Sequence, residues 1–148
     1  MEDKKYPRVG IGVLIENNAG EVLLGLRQGS HGEGEWCFPG GHLDFGETIF
    51  ETAKREVKEE VDLDVDEFEF ISVTDEMRYI EEGKHYVGLG VKATYNGGTP
   101  KLMEPEKCKE WKLFSFNALP NNLFENTQAI INNYKLNRIY KENKLNNN

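Results

Sequence analysis

Residues 41–63, GHLDFGETIFETAKREVKEEVDL, decide how the rest of the chain is read. Ile49, Ala53, Val57 and Val61 recur every fourth residue, so on a helix they share one side and can face a core. Glu56, Glu59 and Glu60 recur at spacings of three and four, which brings their carboxylates together on another side. Like charges that close repel. One resolution is a solvated face on which Lys54, Arg55 and Lys58 balance the acids. The other is a divalent cation held between the carboxylates. Packing and chemistry occupy different sides, so one helix can carry both.

The order of parts favours the cation. It runs Gly41, five residues, Glu47, seven residues, then Arg55-Glu56-Val57-Lys58-Glu59-Glu60. This closely resembles the box of the Nudix hydrolase family, which is Gly, five residues, Glu, seven residues, Arg-Glu-apolar-any-Glu-Glu-any-Gly-apolar. One position departs: the late glycine of the family is Asp62 here, followed by an apolar residue at Leu63. Helices commonly end on glycine because a left-handed backbone is costly with a side chain, although Asp tolerates it better than most. The departure bears on the helix end rather than on the acids.

The resemblance implies an α+β fold, the Nudix α/β/α sandwich with a mixed central sheet. It also implies cleavage of a nucleoside diphosphate linked to another group X, with Mg²⁺ as cofactor and Mn²⁺ as a possible substitute. Carboxylate oxygens are hard ligands that suit either ion, and Mg²⁺ usually bridges a few carboxylates to substrate phosphates. Carried over by position, the metal ligands fall on Glu56, Glu59, Glu60 and the backbone carbonyl of Gly40. Glu47 would act in an outer shell or on an additional metal, and Arg55 would orient the helix by pairing with Glu47 or a neighbouring carboxylate. An ordinary ion pair of Arg55 with Glu51 or Glu59 is the alternative. The general base falls on Glu56 or Glu59.

Outside the box, 25–30, 38–46, 85–87 and 104–108 resemble the MutT-type subgroup, which converts nucleoside triphosphates to monophosphates and pyrophosphate and includes homodimers. By that likeness Arg27 contacts phosphate, and Phe38, Gly88, Phe124 and Asn126 surround the base. The two phenylalanines suit a core equally well. His42 either faces the phosphates or is a structural histidine, and Glu104 or Glu106 is a further metal-ligand candidate. Patterns of the ADP-ribose and coenzyme A subclasses are not reproduced in residues 28–36 and 74–79. An ADP-ribose or nucleotide-sugar pyrophosphatase, and a non-catalytic nucleotide sensor, are the remaining readings.

Composition agrees with one enzyme domain spanning 1–148. A formal net charge of −8 argues against a surface that grips nucleic-acid polymers or anionic lipid. No apolar run approaches a membrane span, and the N-terminal MEDKKYPR lacks a signal-peptide core, so a cytoplasmic protein is expected. Cys37 and Cys108 belong to no CxxC pair or Cys/His cluster and read as ordinary thiols, with a reactive role conceivable for Cys37 beside the glycine loop.

Apolar and β-branched runs predict strands at 8–15, 21–26, 67–74, 85–95 and 111–116. Turns are expected at 17–20, 81–84 and 96–100, and a glycine-rich loop at 28–35. A final helix is expected over 121–137 with Leu123, Ile130, Ile131 and Tyr134 on its apolar side, followed by a polar, fraying tail from 141.

Overall fold

Alternation along the strands builds two separate cores, one on each face of a single sheet. The structure is a computed structural model that describes residues 5–29 and 31–145. Residues 1–4, Ser30 and 146–148, which include ends of the N-terminal segment and polar tail read above, lie outside the described residues. The strands are β1 (Arg8–Glu16), β2 (Glu21–Arg27), β3 (Trp36–Cys37), β4 (Gly40–His42), β5 (Val65–Glu76), β6 (Tyr86–Tyr95) and β7 (Cys108–Ser115). The helices are α1 (Ile49–Val61) and α2 (Glu125–Lys135), with one short 3-10 turn at Ile80–Glu82.

The sheet runs β3-β2-β1-β6-β5, with β4 added to β1 and β7 added to β2. Only the central pair β1 and β6 is parallel, so the sheet is mixed. Ile11, Val13 and Ile15 of β1, with Leu89, Val91 and Ala93 of β6, pack with Ala53, Val57 and Val61 of α1. On the opposite face Leu14, Val22 and Leu24 pack with Phe38 and with Ile130 and Ile131 of α2. Each such fully buried aliphatic chain contributes roughly 1.5–3 kcal/mol relative to leaving it in water. The result is the expected α/β/α sandwich.

The period of two has a further consequence on the α2 face. Gly10 pairs with Gly88 and Gly12 with Gly90 across the parallel junction, so four neighbouring positions there carry no side chain. Ile130 fills the space above Gly12 and Gly90, where an added Cβ would meet it at 2.8 and 2.9 Å. Above Gly10 the floor is open, since the nearest atom to such a Cβ is Glu76 Oε2 at 3.9 Å.

Helix α1 begins at Thr48, whose hydroxyl accepts from the Glu51 N–H at 3.1 Å. It ends on Asp62, which takes the left-handed conformation at φ 55° and donates its N–H to the Lys58 carbonyl. Lys58 and Lys101 pair with the Asp62 carboxylate at 3.0 and 3.2 Å. The acid therefore does the glycine's work at this terminus, with two cations to hold it.

Some boundaries differ from expectation. Helix α2 starts at Glu125 rather than 121, because the preceding residues run extended beside β3, with the Phe124 N–H donating to the Trp36 carbonyl at 2.7 Å. Strands β3 and β4 are too short to show periodicity. Strand β7 begins at Cys108, ahead of the expected 111. Past the last helix, the Val73 N–H donates to the Ile139 carbonyl, and Tyr140 and Asn143 hydrogen-bond to Asp75. The tail is thus tied to β5 as far as Asn143, where fraying had been expected.

Candidate active site

A cavity of about 520 Å³ opens over the glycine floor, between α1, the start of α2 and the 28–35 loop. That volume suits a small-molecule ligand. Its lining includes Glu56 and Glu60 on one side and Arg27, Phe124 and Asn126 on the other.

Arg55 organises the acidic side. It binds Glu47 through two nitrogens at 2.7 and 2.9 Å, Glu56 at 2.9 Å and Glu59 at 3.3 Å. Asp44 lies 3.2 Å away, and the His42 carbonyl accepts at 3.1 Å. Planar guanidinium geometry permits this fork, which a lysine would not reproduce. Glu47 accepts further hydrogen bonds from Thr52 Oγ1 and the Asp44 N–H. Arg55 beside it holds its carboxyl down at about 2. Glu51 takes no part in this network.

The three box glutamates separate by environment. Glu56 and Glu60, one turn apart, line the cavity and are half-buried. Burial is the main cause that raises both carboxyls above their ordinary range, and for Glu60 the charge of Glu56 adds to it. Glu60 Oε1 accepts the Gly40 N–H at 3.2 Å. Glu59 is different: its side chain is 53% exposed, turned outward onto Arg55 rather than into the cavity. Convergence of all three, expected from their spacing, is therefore partial.

Glycines permit this closeness. A Cβ on Gly41 would fall on the Glu56 carboxylate, and one on Gly40 would fall on the Ile11 backbone carbonyl. Strand β4 can thus lie against β1 only without a side chain at Gly40, and Glu56 can sit against β4 only without one at Gly41.

Two half-buried carboxylates one turn apart form a hard, negatively charged donor set that a dication would relieve. No three His, Cys, Asp or Glu side chains are already drawn around one point among the described residues. The reason is visible: Arg55 holds Glu47, Glu56 and Glu59, and the Gly40 amide holds Glu60. The donor set fits Mg²⁺ or Mn²⁺ completed by substrate phosphates. Of the loop candidates, Glu104 lines the cavity and its charge acts on Glu60, whereas Glu106 is exposed and outside it.

Across the cavity, Arg27 is half-buried, its guanidinium 4.2 Å above the Phe124 ring and its Nε donating to the His31 carbonyl at 2.8 Å. Phe38 is 5% exposed and belongs to the core, yet borders the cavity, and its N–H donates to Thr127 Oγ1. His42 is exposed, stacks on Tyr86 at 5.5 Å, and is lowered from its ordinary range chiefly by partial burial. Gly88 lies beneath Glu76 and Asn126, whose Oδ1 is 2.6 Å from the place a Cβ would take. Burial raises the Cys37 thiol to about 12 and Cys108 to about 11, so neither is an activated nucleophile.

Glu76, Arg78 and Tyr79 also line the cavity and were not singled out from the sequence. For Glu76 a signal existed. Ser72, Thr74 and Glu76 alternate as polar residues along a strand whose face must be covered.

The RNA pyrophosphohydrolase of Pseudoalteromonas atlantica is 35% identical over 99 residues, covering 62% of this chain and 55% of that protein. The RNA pyrophosphohydrolase of Shewanella denitrificans is 30% identical over 129 residues, covering 87% of this chain and 68% of that protein. The chain spans about half the length of the first of these relatives. Among solved structures, the MutT NUDIX hydrolase from Burkholderia pseudomallei superposes with a TM-score of 0.80 at 28% identity, covering 86% of this chain and 98% of that one. The MutT protein from Methanosarcina mazei Go1 shares the fold, with a TM-score of 0.75 at 20% identity and coverage of 92% and 98%. The NUDIX domain family matches residues 6–134, nearly the whole sandwich with its cavity and box helix, and the chain belongs to that family.

Proposed function

We propose that this chain is a Mg²⁺-dependent pyrophosphohydrolase that converts a nucleoside triphosphate to the monophosphate and pyrophosphate. The supporting observation is that Glu56 and Glu60, half-buried on consecutive turns, open into the same cavity as an arginine stacked on an aromatic ring. The acids suit a cation, the arginine a phosphate and the ring a base.

Glu56 and Glu60 would hold the dication, with the Gly40 carbonyl and Glu59 completing the set the family implies. Mn²⁺ would substitute. Bound there, the ion would neutralise phosphate oxygens and lower the pKa of a coordinated water. Arg55 keeps Glu56 aimed inward, and Glu47 keeps Arg55 in place. Glu56, which faces the cavity, or Glu59 would take a proton from the attacking water. Arg27 would grip phosphate, while Phe124 offers a ring face to the base, Phe38 forms the wall, and Gly88 and Asn126 lie at the floor. His42 would border the phosphates.

Measurement of pyrophosphate release tests this, using nucleoside triphosphates, ADP-ribose and dinucleoside polyphosphates with and without Mg²⁺. At least one triphosphate should be hydrolysed, and Glu59→Gln or Glu60→Gln should lower turnover by orders of magnitude. Full activity in both variants would remove the metal site from the proposal. Nucleotide binding without turnover would instead favour the sensor reading.

A second reading follows from the relatives named RNA pyrophosphohydrolase: release of pyrophosphate from a 5′-triphosphorylated RNA end. The net charge of −8 weighs against a grip on the polymer. Adding such an RNA to the panel compares the two. Among the described residues no helix is long and apolar enough to cross a membrane. A cytoplasmic location and a homodimer complete the proposal, and light scattering checks the dimer.

A further inference from the structure

Residues 138–143, RIYKEN, contribute no group to the hydrolytic chemistry, yet they are bound to one end of one strand. Asn137, left-handed at φ 50°, turns the chain out of α2. Arg138 is then fixed to the buried Asn133, its Nε donating to Oδ1 at 2.8 Å and its N–H to the carbonyl at 2.9 Å. From that anchor the chain runs parallel to the end of β5, where the Val73 N–H donates to the Ile139 carbonyl at 2.9 Å. Asp75 takes two bonds on one carboxylate oxygen, from the Tyr140 hydroxyl at 2.6 Å and the Asn143 N–H at 3.2 Å. Its carbonyl accepts from Asn143 Nδ2 at 3.2 Å. Strand β5 is an edge strand, and among the described residues its outer edge has no other backbone partner.

The cavity wall begins one residue past Asp75, with Glu76, Arg78 and Tyr79 all lining it. Arg78 pairs with Glu35 at 2.9 Å, and the Tyr79 ring packs on His31 at 4.2 Å between centroids. The His31 carbonyl in turn accepts from Nε of Arg27 at 2.8 Å, the arginine that would grip phosphate. Two loops are thus clasped by side chains near the surface, and contacts of that kind are individually weak. Edge-strand ends open locally at little cost, so the wall keeps its position only while the strand beneath it is held. We propose that 138–143 is a strap that holds the end of β5 and so keeps this wall and Arg27 in place, with Tyr140 and Asn143 acting through Asp75 as positioning residues. Its effect on substrate rests on the nucleotide-hydrolysis reading given above.

The arithmetic of two states gives the signature. With the strap released, part of the population has an open wall, and substrate must select the closed remainder. The apparent dissociation constant rises by the inverse of that remainder, while substrate once bound meets an unaltered acidic side. Loss of the strap should therefore raise KM and spare kcat.

The test pairs the double variant Tyr140→Phe/Asn143→Ala with Ile139→Ala, whose bond to β5 is made by a carbonyl that alanine retains. Amide exchange read by mass spectrometry should quicken about tenfold in 74–80 and 31–36 of the double variant and stay as in the wild type in β1 and α1. With Mg²⁺ and ATP, CTP, GTP or UTP, each triphosphate that the wild type turns over should show KM raised about fivefold and kcat within about twofold. Ile139→Ala should match the wild type in both readouts. Faster exchange confined to the strap, an unchanged KM, or a fall in kcat at constant KM overturns the inference. So does faster exchange in β1 and α1, which would make the strap a general stabiliser, or an Ile139→Ala protein as impaired as the double variant. A wild type that hydrolyses none of these triphosphates counts against the hydrolytic reading alone, and the exchange pattern then decides the strap.

Discussion

Replacement of Gly41 by alanine isolates the geometry of the acidic side from the stability of the fold. An alanine Cβ would lie 2.5 Å from Glu56 Oε2 and nearer still to the rest of that carboxyl, against 3.4 Å for ordinary contact. Glu56 must then retreat by about 1 Å, a misplacement that typically costs about 100-fold in rate. That loss equals roughly 2.7 kcal/mol of transition-state stabilisation. The shift also strains the 2.9 Å bond from Arg55 to Glu56. Folding should suffer less. The obstacle is a side chain that can turn aside, and alanine for glycine stiffens the unfolded chain by about 0.4–1 kcal/mol in the native state's favour. Gly40→Ala is the informative contrast: its Cβ would meet the Ile11 backbone carbonyl, which cannot move without separating β4 from β1. Steady-state pyrophosphate release and thermal unfolding, measured side by side, should show Gly41→Ala folded and slow but Gly40→Ala poorly folded. A Gly41→Ala enzyme within about threefold of wild-type turnover would refute the reasoning that Glu56 must stay where Arg55 holds it.

Acid titration gives two opposite signatures. Glu47 is depressed to about 2 when folded, so its contribution is present above its unfolded value of 4.5 and is lost as pH falls towards 2. Arg55→Met should remove that acid-side loss from urea midpoints measured between pH 3 and 6; an unchanged pH profile would count against the Arg55 hub. Glu56 and Glu60 are raised when folded, so in metal-free protein they destabilise above the unfolded value and relax as pH falls through their folded values. Glu60→Gln should therefore raise the metal-free melting temperature at pH 7.5 and abolish the further rise that Mg²⁺ produces in the wild type; an undiminished Mg²⁺ response would place the ion elsewhere. Cys37 and Cys108, raised to about 12 and 11, should resist alkylation at pH 8 in native protein and react on unfolding, as mass spectrometry can count. Rapid native labelling of Cys37 would show its burial to be broken in solution.

Short-range pattern carried much of this protein. The box helix, with its apolar side and its Arg55 one turn before Glu59, follows from 3.6-residue periodicity and from charges that must be paired nearby. Alternation marked the long strands, since each must bury one or both faces. Other features depend on parts of the chain that are distant in sequence. Parallel pairing of β1 with β6 sets Gly10 against Gly88 and Gly12 against Gly90, and nothing local fixes that register. The same holds for Glu76 and Asn126, which lie over one glycine only because β5 ends and α2 begins there. Glu59 and Glu60 are adjacent and chemically identical, yet one is turned to solvent and the other shut beneath Gly40, because β4 covers only one of them. Periodicity says which residues share a side of a helix; which of them is desolvated depends on what the fold lays across it.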